Sequence, residues 1–479
     1  MDKVKRFTYV IVGGGIAGVS CLEQIKNSKL ENESILLITA SPLVKAITNV
    51  AKLTKLLVNF DVEERESNFL EEEEISVIVD GVELLMPDSH RVLTNANGFI
   101  EYKKLCICTG GKPNLIAENN PFVLGIRDTD SVKRFQDCIN DAKRIIIVGN
   151  GGIATELVYE LKNVEIIWAI KNKSISASFV DPGAAEFFLT SLESTQKKEV
   201  VSKRLKYVVS SEDKKDDRVT GSALGPDWHL GVNLQGRLEK GRKIGVEYEC
   251  KPVAILSPSE ITEEKRKRVV GKTEEWPVYL ELSNGKIFGA DLIVSATGVK
   301  PAFPAFEKGL NIAVGEDGGL LVNEFMLTSA SDVYAAGDSC TVNWDTAPHW
   351  FQMRLWSQAR QLGAYAGLCM AQQNHGETPV LDFTFELFAH VTHFFGYKVV
   401  LLGLFNGQNL DGYELMVRIT PCVEYIKLVI KDGKIHGAIF IGETDLEETF
   451  ENLILNQLDI SIYGEDILNP DIDIEDYFD

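Results

Sequence analysis

Two glycine-rich turns hold the chemistry that can be read in this chain, Gly13-x-Gly15-x-x-Gly18 and Gly149-x-Gly151-x-x-Ala154. Each stands between an apolar run and a helical run, where main-chain N–H groups can close on a pyrophosphate and a helix N-terminus lends partial positive charge. Side chains at Gly13 and Gly15 would block that approach, Ile16 and Ala17 begin the helix, and Gly18 lets it pack on the strand; Gly149, Gly151, Gly152 and Ile153 repeat the pattern. One such turn grips one dinucleotide. Two of them, with Gly337-Asp338 far downstream, predict FAD and NAD(P)H held together for hydride transfer.

The expected ribose anchors are missing. An acidic residue about 20 positions on normally takes the ribose hydroxyls, yet the second strand ends Thr39-Ala40-Ser41, leaving a hydroxyl of Thr39 or Ser41 as the substitute. After the second turn the same position falls near Trp168 and Ala169, again without a carboxylate, and Lys171 follows. A carboxylate there would repel a 2′-phosphate, so its absence leaves NADPH open beside NADH; Lys171 is either a phosphate contact or a solvated strand-end lysine.

Positioning these turns takes two parallel α/β units. Residues 7 to 12 read as a buried strand, 16 to 27 as the phosphate-carrying helix, 35 to 39 as the second strand, and Leu105 to Cys108 as a third that leads into Thr109-Gly110-Gly111. Arg144 to Val148, Ile153 to Leu161 and Glu165 to Ile170 repeat the order, and Leu292 to Val294 leads into Ala296-Thr297-Gly298. From about 193 to 275 the periodicity gives way to charge-dense sequence, including Ser211 to Asp217, Lys265 to Arg268 and an isolated patch at 225 to 229, which reads as a partly flexible insertion. Beyond Phe383, short strands (Lys398 to Leu402, Glu424 to Ile430, Gly437 to Ile441), the Asp432-Gly433 hairpin signal and a helix from Leu446 to Gln457 predict a small, separate α+β domain. The expected fold is α/β with two Rossmann-like dinucleotide-binding domains. The FAD domain (1–115 and 296–382) is interrupted by the NAD(P) domain (116–295), and residues 383–479 form the C-terminal α+β domain with its acidic tail.

At 479 residues and 45% hydrophobic content the chain can build about three well-cored domains. Its formal charge of -21 argues against direct nucleic-acid binding and favours small molecules and basic proteins as partners. No apolar run approaches the roughly 18 residues of a membrane span, and the first strand begins by Phe7, so neither a membrane segment nor a leader is expected. We expect a home in the nucleus and cytoplasm. The eight cysteines are scattered with no Cys-x-x-Cys, as suits a reducing compartment. Cys106-Ile-Cys108 reads as a pair of core-filling thiols and Cys340 as a buried one; His390 and His393 have a spacing that could share a helical face but lack a third ligand, so no metal is expected.

The motifs in this order, closed by Thr328 and Val333-Tyr-Ala-Ala-Gly337-Asp338, resemble the pyridine nucleotide-disulfide oxidoreductase superfamily. Trp356-Ser-Gln-Ala359-Arg-Gln-Leu-Gly363 is similar to a helix of its nitrite, rubredoxin and ferredoxin reductase branch, and the C-terminal stretch to the small domain of the nitrite-reductase-like members. The resemblance, over essentially the whole chain, implies roles for particular residues. Asp338 would bond the ribityl hydroxyls of FAD, Thr109-Gly110 and Gly298 would lie at the domain crossings, Lys45 would lie near the flavin N5 and tune it, and Arg127 would help fix the flavin. It also implies a protein client, a tRNA ligase complex guarded against oxidative inactivation. The segment that carries the redox cysteine pair in disulfide reductases is here Lys45-Ala-Ile-Thr-Asn-Val-Ala-Lys52, without cysteine. The expected activity is therefore that of an FAD-dependent NAD(P)H oxidoreductase without an internal dithiol, passing electrons to an external acceptor. The alternative is a redox-gated protein whose reduced form docks on its client without fast turnover.

Overall fold

The computed structural model describes residues 4–71, 75–193, 203–209, 233–238, 243–271, 275–303, 312–471 and 474. The expected stretches Ser211 to Asp217 and 225 to 229, and the tail at 475–479, lie outside them. The chain divides into two compact units, the first built from Met1–Lys112 and Val299–Glu386, the second from Pro113–Ser222, Asp227–Gly298 and Leu387–Asp479.

In the first unit the strands β1 (Lys5–Val12) and β2 (Ile35–Thr39) are almost continuously apolar, which suits parallel strands covered on both faces. They run parallel to each other, β1 also to strand Gly98–Ile107, and β2 to the short strand Ser76–Val79. Strand Val333–Ala335 returns from far downstream to pair with Gly98–Ile107, setting Tyr334 against Cys106. Helix α1 (Ile16–Ser28) and the long helix Trp356–Asn374 pack on each other and share the core of this sheet. Gly363 and Gly367, one turn apart on that helix, face the carbonyls of Ala17 and Cys21; a Cβ at either would collide, so the helices pack almost backbone to backbone. The core is Tyr9 to Val12, Leu36 to Ile38, Leu105 to Ile107 and Tyr334 to Ala336, all buried.

The segment Lys45–Lys52, matched by resemblance to the cysteine-bearing stretch of disulfide reductases, lies in a hairpin, Leu43–Lys52 (β3) with Val58–Glu66 (β4). β-branched residues run through it (Val44, Ile47, Thr48, Val50, Val58, Val62), and Ile47, Val58, Phe60 and Val62 pack on Ile16 and Trp356.

The second unit holds a five-stranded parallel sheet ordered Val123–Leu124, Leu292–Ser295, Arg144–Val148, Glu165–Ala169 and Lys243–Glu247. Beside it lie an antiparallel three-stranded sheet (Pro252–Leu256, Val278–Leu282, Ile287–Ala290) and a six-stranded sheet whose edge strand is Lys203–Val209. The charge-dense stretch from 193 to 275, read as an insertion, thus gives one strand to each of the three sheets. Lys203–Val209 and Lys243–Glu247 are short and interleaved with charge, which hides their period of two, and the wholly apolar Pro252–Leu256 is too brief to show one; Lys265 and Arg266 end a capped helical turn, and Arg268 just beyond it pairs with Glu281 at 2.5 Å.

The C-terminal strands and helix pack within this second unit. Phe187 and Phe188 of helix Pro182–Glu193 meet Tyr397 and Phe395 edge-on or tilted. A buried ion pair joins the same elements: Lys427 Nζ lies 2.8 Å from Asp181 Oδ2 and donates to Asn406 Oδ1, while Tyr425 donates to Asp181 Oδ1 at 2.9 Å. Asp181 also accepts the Gly183 N–H and so starts its helix. Burial raises the Asp181 pKa, but Lys427 and Tyr425 outweigh that and hold the carboxyl below its ordinary range. His390 and His393 sit on strand Ala389–Phe394, not a helix, so a three-residue spacing puts them on opposite faces: His390 is buried and His393 exposed.

Lys427→Met should cost about 3–5 kcal/mol in urea unfolding, because it strands a buried carboxylate. Adding Asp181→Asn should recover most of the loss. Since the folded Asp181 pKa is depressed, its contribution is present above about pH 4 and is lost as pH falls through the folded value, and the double variant should lack that acid dependence.

Candidate functional site

Gly13 follows β1 with φ 121, a left-handed backbone, and a Cβ there would overlap the Cys108 carbonyl. Its N–H donates to Ile38 O at 2.8 Å, and the Cys108 N–H donates to Val12 O at 2.8 Å, so three parallel strand ends meet under one turn. A Cβ on Gly18 would run into the Gly13 carbonyl, whereas one on Gly15 would point into open space. Helix α1 begins after Gly15 with no side-chain cap, while helix Thr129–Ile139 has a full capping box from Asp128 and Ser131. The open donors of α1 therefore face the space over Gly15, where a pyrophosphate fits.

Asp338 is brought to the same place. Gly337 (φ 74) lies over Ala17, and a Cβ on it would stand 2.7 Å from the Ala17 Cβ. Asp338 itself is buried, and its carbonyl accepts from Arg354 Nε at 3.1 Å. Arg354, also buried, donates to Asp317 Oδ2 at 2.6 Å. Burial raises the Asp317 pKa, but bonds from Thr341 and Arg354 outweigh it and hold the carboxyl low. Trp356 opens its helix and packs on Ile16 and Phe60. Thr109, next to the Cys108 carbonyl, keeps a buried hydroxyl with no partner among the described residues. An orphaned hydroxyl, an uncapped helix and a Cβ-free cradle around one spot are what a dinucleotide with many acceptor oxygens would satisfy.

Other expected residues are placed differently. Thr39 is buried and its hydroxyl donates to Ser41 O at 3.0 Å, while Ser41 is exposed and its hydroxyl accepts the Leu43 N–H. Lys45 lies beside the turn, its N–H donating to Gly14 O at 2.9 Å, but its ammonium is 2.5 Å from Glu64 on β4. The expected flavin-tuning cation is thus one half of an ion pair. Gly110 (φ 66) precedes the crossover, and its carbonyl accepts the Ala302 N–H.

The second unit repeats the first. Gly149 (φ 134) sits over the Ala296 carbonyl, its N–H donates to Ala169 O, and the helix that begins at Gly152, continuing through Ile153, again lacks a side-chain cap at Gly151. Three groups that sequence reasoning missed hold this turn. The Trp168 indole donates to Gly149 O at 2.7 Å, Asn150 bonds Asn172 Oδ1, Ser174 O and the Ser176 N–H, and Thr155 meets Ser176 at 2.8 Å. Gly298 (φ 93) takes the Asn114 N–H on its carbonyl. Lys171 is exposed just past the strand end, and Arg127 is half-buried just before the Asp128 cap.

Cys106 and Cys108 do share a face, with sulfurs 3.4 Å apart, fully enclosed in the first unit's core. The Cys108 and Cys21 thiols and burial push the Cys106 thiol well up, and burial does the same to Cys340. Both are closed off from solvent by the packing around them. A cavity of about 540 Å³ is lined by His90, Tyr102, Lys104 and Asp332, midway along strand Gly98–Ile107 and just before strand Val333–Ala335.

The pattern of the Pyridine nucleotide-disulphide oxidoreductase family matches residues 7–220 and 257–363. The protein named pyridine nucleotide-disulfide oxidoreductase domain-containing protein 1 is 53% identical in Homo sapiens, over 98% of each chain, and 50% identical in Danio rerio, over 100% of this chain and 99% of that one. Among solved structures, the ferredoxin reductase for the CYP199A2 system from Rhodopseudomonas palustris superposes with a TM-score of 0.67 at 16% identity, covering 98% of this chain and 99% of that one. With its two glycine turns, its buried Asp338 and a match across most of its length, this chain belongs to the pyridine nucleotide-disulphide oxidoreductase family and is an FAD-dependent NAD(P)H oxidoreductase.

Proposed function

We propose that this oxidoreductase works without an internal dithiol and hands electrons to an external acceptor, and that its physiological task is to keep a tRNA ligase complex from oxidative inactivation in the nucleus and cytoplasm. The observation that carries the first part is the β3–β4 hairpin, which holds no cysteine in the segment that flanks the first glycine turn. When both cofactors are bound, NAD(P)H supplies a hydride and FAD stores the electron pair. The protein's part is to hold them: Gly13 to Gly18 and Thr109 at the FAD pyrophosphate, Asp338 at the ribityl chain, Gly149 to Ile153 at the second dinucleotide. The paired Lys45 and Glu64 add little net charge beside the first turn, so they favour neither reduced nor oxidised flavin as strongly as a bare lysine would. The client assignment is supported by the resemblance of the whole chain and by a net charge that suits a basic protein surface better than RNA. Oxygen or a quinone-like compound are the competing acceptors.

A second reading is favoured by the same hairpin: without a thiol relay, the reduced form can persist and act as a docking state rather than a turnover intermediate. Anaerobic titration with NADH or NADPH should bleach the flavin absorbance, and admitting air should separate the two readings. A long-wavelength charge-transfer band that outlasts aeration supports the docking state, whereas oxidised flavin that returns within seconds supports a turnover reductase. Absence of any flavin spectrum would overturn both.

Asp338→Ala should lower FAD affinity by about tenfold to a hundredfold, the worth of one or two hydrogen bonds to a buried carboxylate. Flavin retained at the wild-type level after gel filtration would exclude Asp338 as a flavin ligand.

A further inference from the structure

The second turn also carries information about which nicotinamide dinucleotide it takes. Strand Glu165–Ala169 ends beside Gly149, and the residues that follow are Ile170, Lys171, Asn172, Lys173 and Ser174. In a βαβ nucleotide fold this is the stretch that meets the adenosine ribose. The side chain of Asn150, inside the glycine turn, ties the stretch down by donating to Asn172 Oδ1 and Ser174 O, both at 2.9 Å, and by accepting the Ser176 N–H. The ribose-side loop and the pyrophosphate-side turn are therefore one rigid piece, with Asn150, Thr155 and Ser176 buried beneath it.

The charge of that piece is positive. Lys171 and Lys173 are both exposed on it, and residues 170 to 176 include no carboxylate that could accept from a 2′-hydroxyl. Asn172 spends its side-chain carbonyl on Asn150 and its main-chain carbonyl on the Glu249 N–H. Two acidic residues stand on the neighbouring strand end. Glu247 is bound by Lys286, whose ammonium lies 2.8 Å from it, and by Asn284, so that of these two the exposed Glu249 is the competitor. In a chain of net charge -21, two lysines within three residues beside a nucleotide turn are a local reversal of sign.

We propose that this loop is a 2′-phosphate site and that the protein prefers NADPH to NADH, with Lys171 and Lys173 as the charge partners of the phosphate. The proposal rests on Gly149 to Ala154 being the nicotinamide dinucleotide turn. It assigns the lysines to specificity and leaves hydride transfer itself to the cofactors.

Isothermal titration of the purified, flavin-loaded protein with adenosine 2′,5′-bisphosphate and with adenosine 5′-monophosphate separates the proposal from its premise, since neither probe can be oxidised. The bisphosphate should bind at least about tenfold tighter, and Lys171→Met or Lys173→Met should each weaken it by roughly tenfold while moving the monophosphate by less than about threefold. Methionine keeps the apolar stem, so an unchanged melting temperature shows that the fold is intact. Equal or tighter binding of the monophosphate would overturn the 2′-phosphate site and leave the turn assignment standing. Failure of both probes to bind would overturn the turn assignment itself. Glu249→Gln should leave monophosphate binding unchanged; a tenfold loss would show that this carboxylate takes the ribose hydroxyls, and would overturn the proposal in favour of NADH.

Discussion

Each nucleotide turn in this chain depends on one steric fact, that a strand-end carbonyl occupies the place where a Cβ would be. Cys108 O stands under Gly13, and Ala296 O stands under Gly149. Both glycines adopt φ between 120° and 135°, and both donate their N–H to the end of the neighbouring parallel strand. That contact fixes how far the third strand reaches and where the helix begins. The cost falls on the sequence, because any other residue at either position must both strain its backbone and push a strand end aside.

The two units share this geometry but finish it differently. After the first, Thr109 is left with a buried, orphaned hydroxyl; after the second, the equivalent Thr297 donates to Asn114 O at 2.6 Å. The first turn is therefore completed from outside the protein and is poised for a cofactor that stays, since a buried polar group without a partner is costly. The second is completed from within, by Asn150, Thr155 and Trp168, and is stable before its dinucleotide arrives. A resident FAD and an exchanging NAD(P)H fit that division.

How much of this was legible depended on how local each cause is. The glycine turns, the strands Arg144–Val148 and Val278–Leu282 and the second strand Ile35–Thr39 follow from runs of apolar residues and turn signals. The strands within 193–275 did not, because their partners are supplied by other parts of the chain and two of the three carry charge along their length; Lys203–Val209 has its register set by Tyr413–Thr420, and Lys243–Glu247 by Glu165–Ala169. Glu64 was invisible as the partner of Lys45 for the same reason, being opposite in a hairpin that only pairing defines. Arg354 and Asn150 left no signal beyond their type. Their importance comes from the main-chain atoms they reach, Asp338 O and Ser174 O.

Replacing a cysteine helix by a hairpin changes more than one step of the chemistry. A dithiol relay lets the acceptor stay at a distance from the flavin, and here the described thiols that lie near the first turn, Cys21, Cys106, Cys108 and Cys340, are all enclosed in the core. An acceptor must then approach the cofactor itself. The hairpin that takes the relay's place is held by Ile47, Phe60 and Val62 against Ile16 and Trp356, so it is part of the core as well as a cover. A surface anchored in this way can fix the distance to an approaching partner but cannot swing aside without exposing Trp356. Selection of the acceptor then rests on the shape of a fixed rim rather than on the reactivity of a mobile thiol.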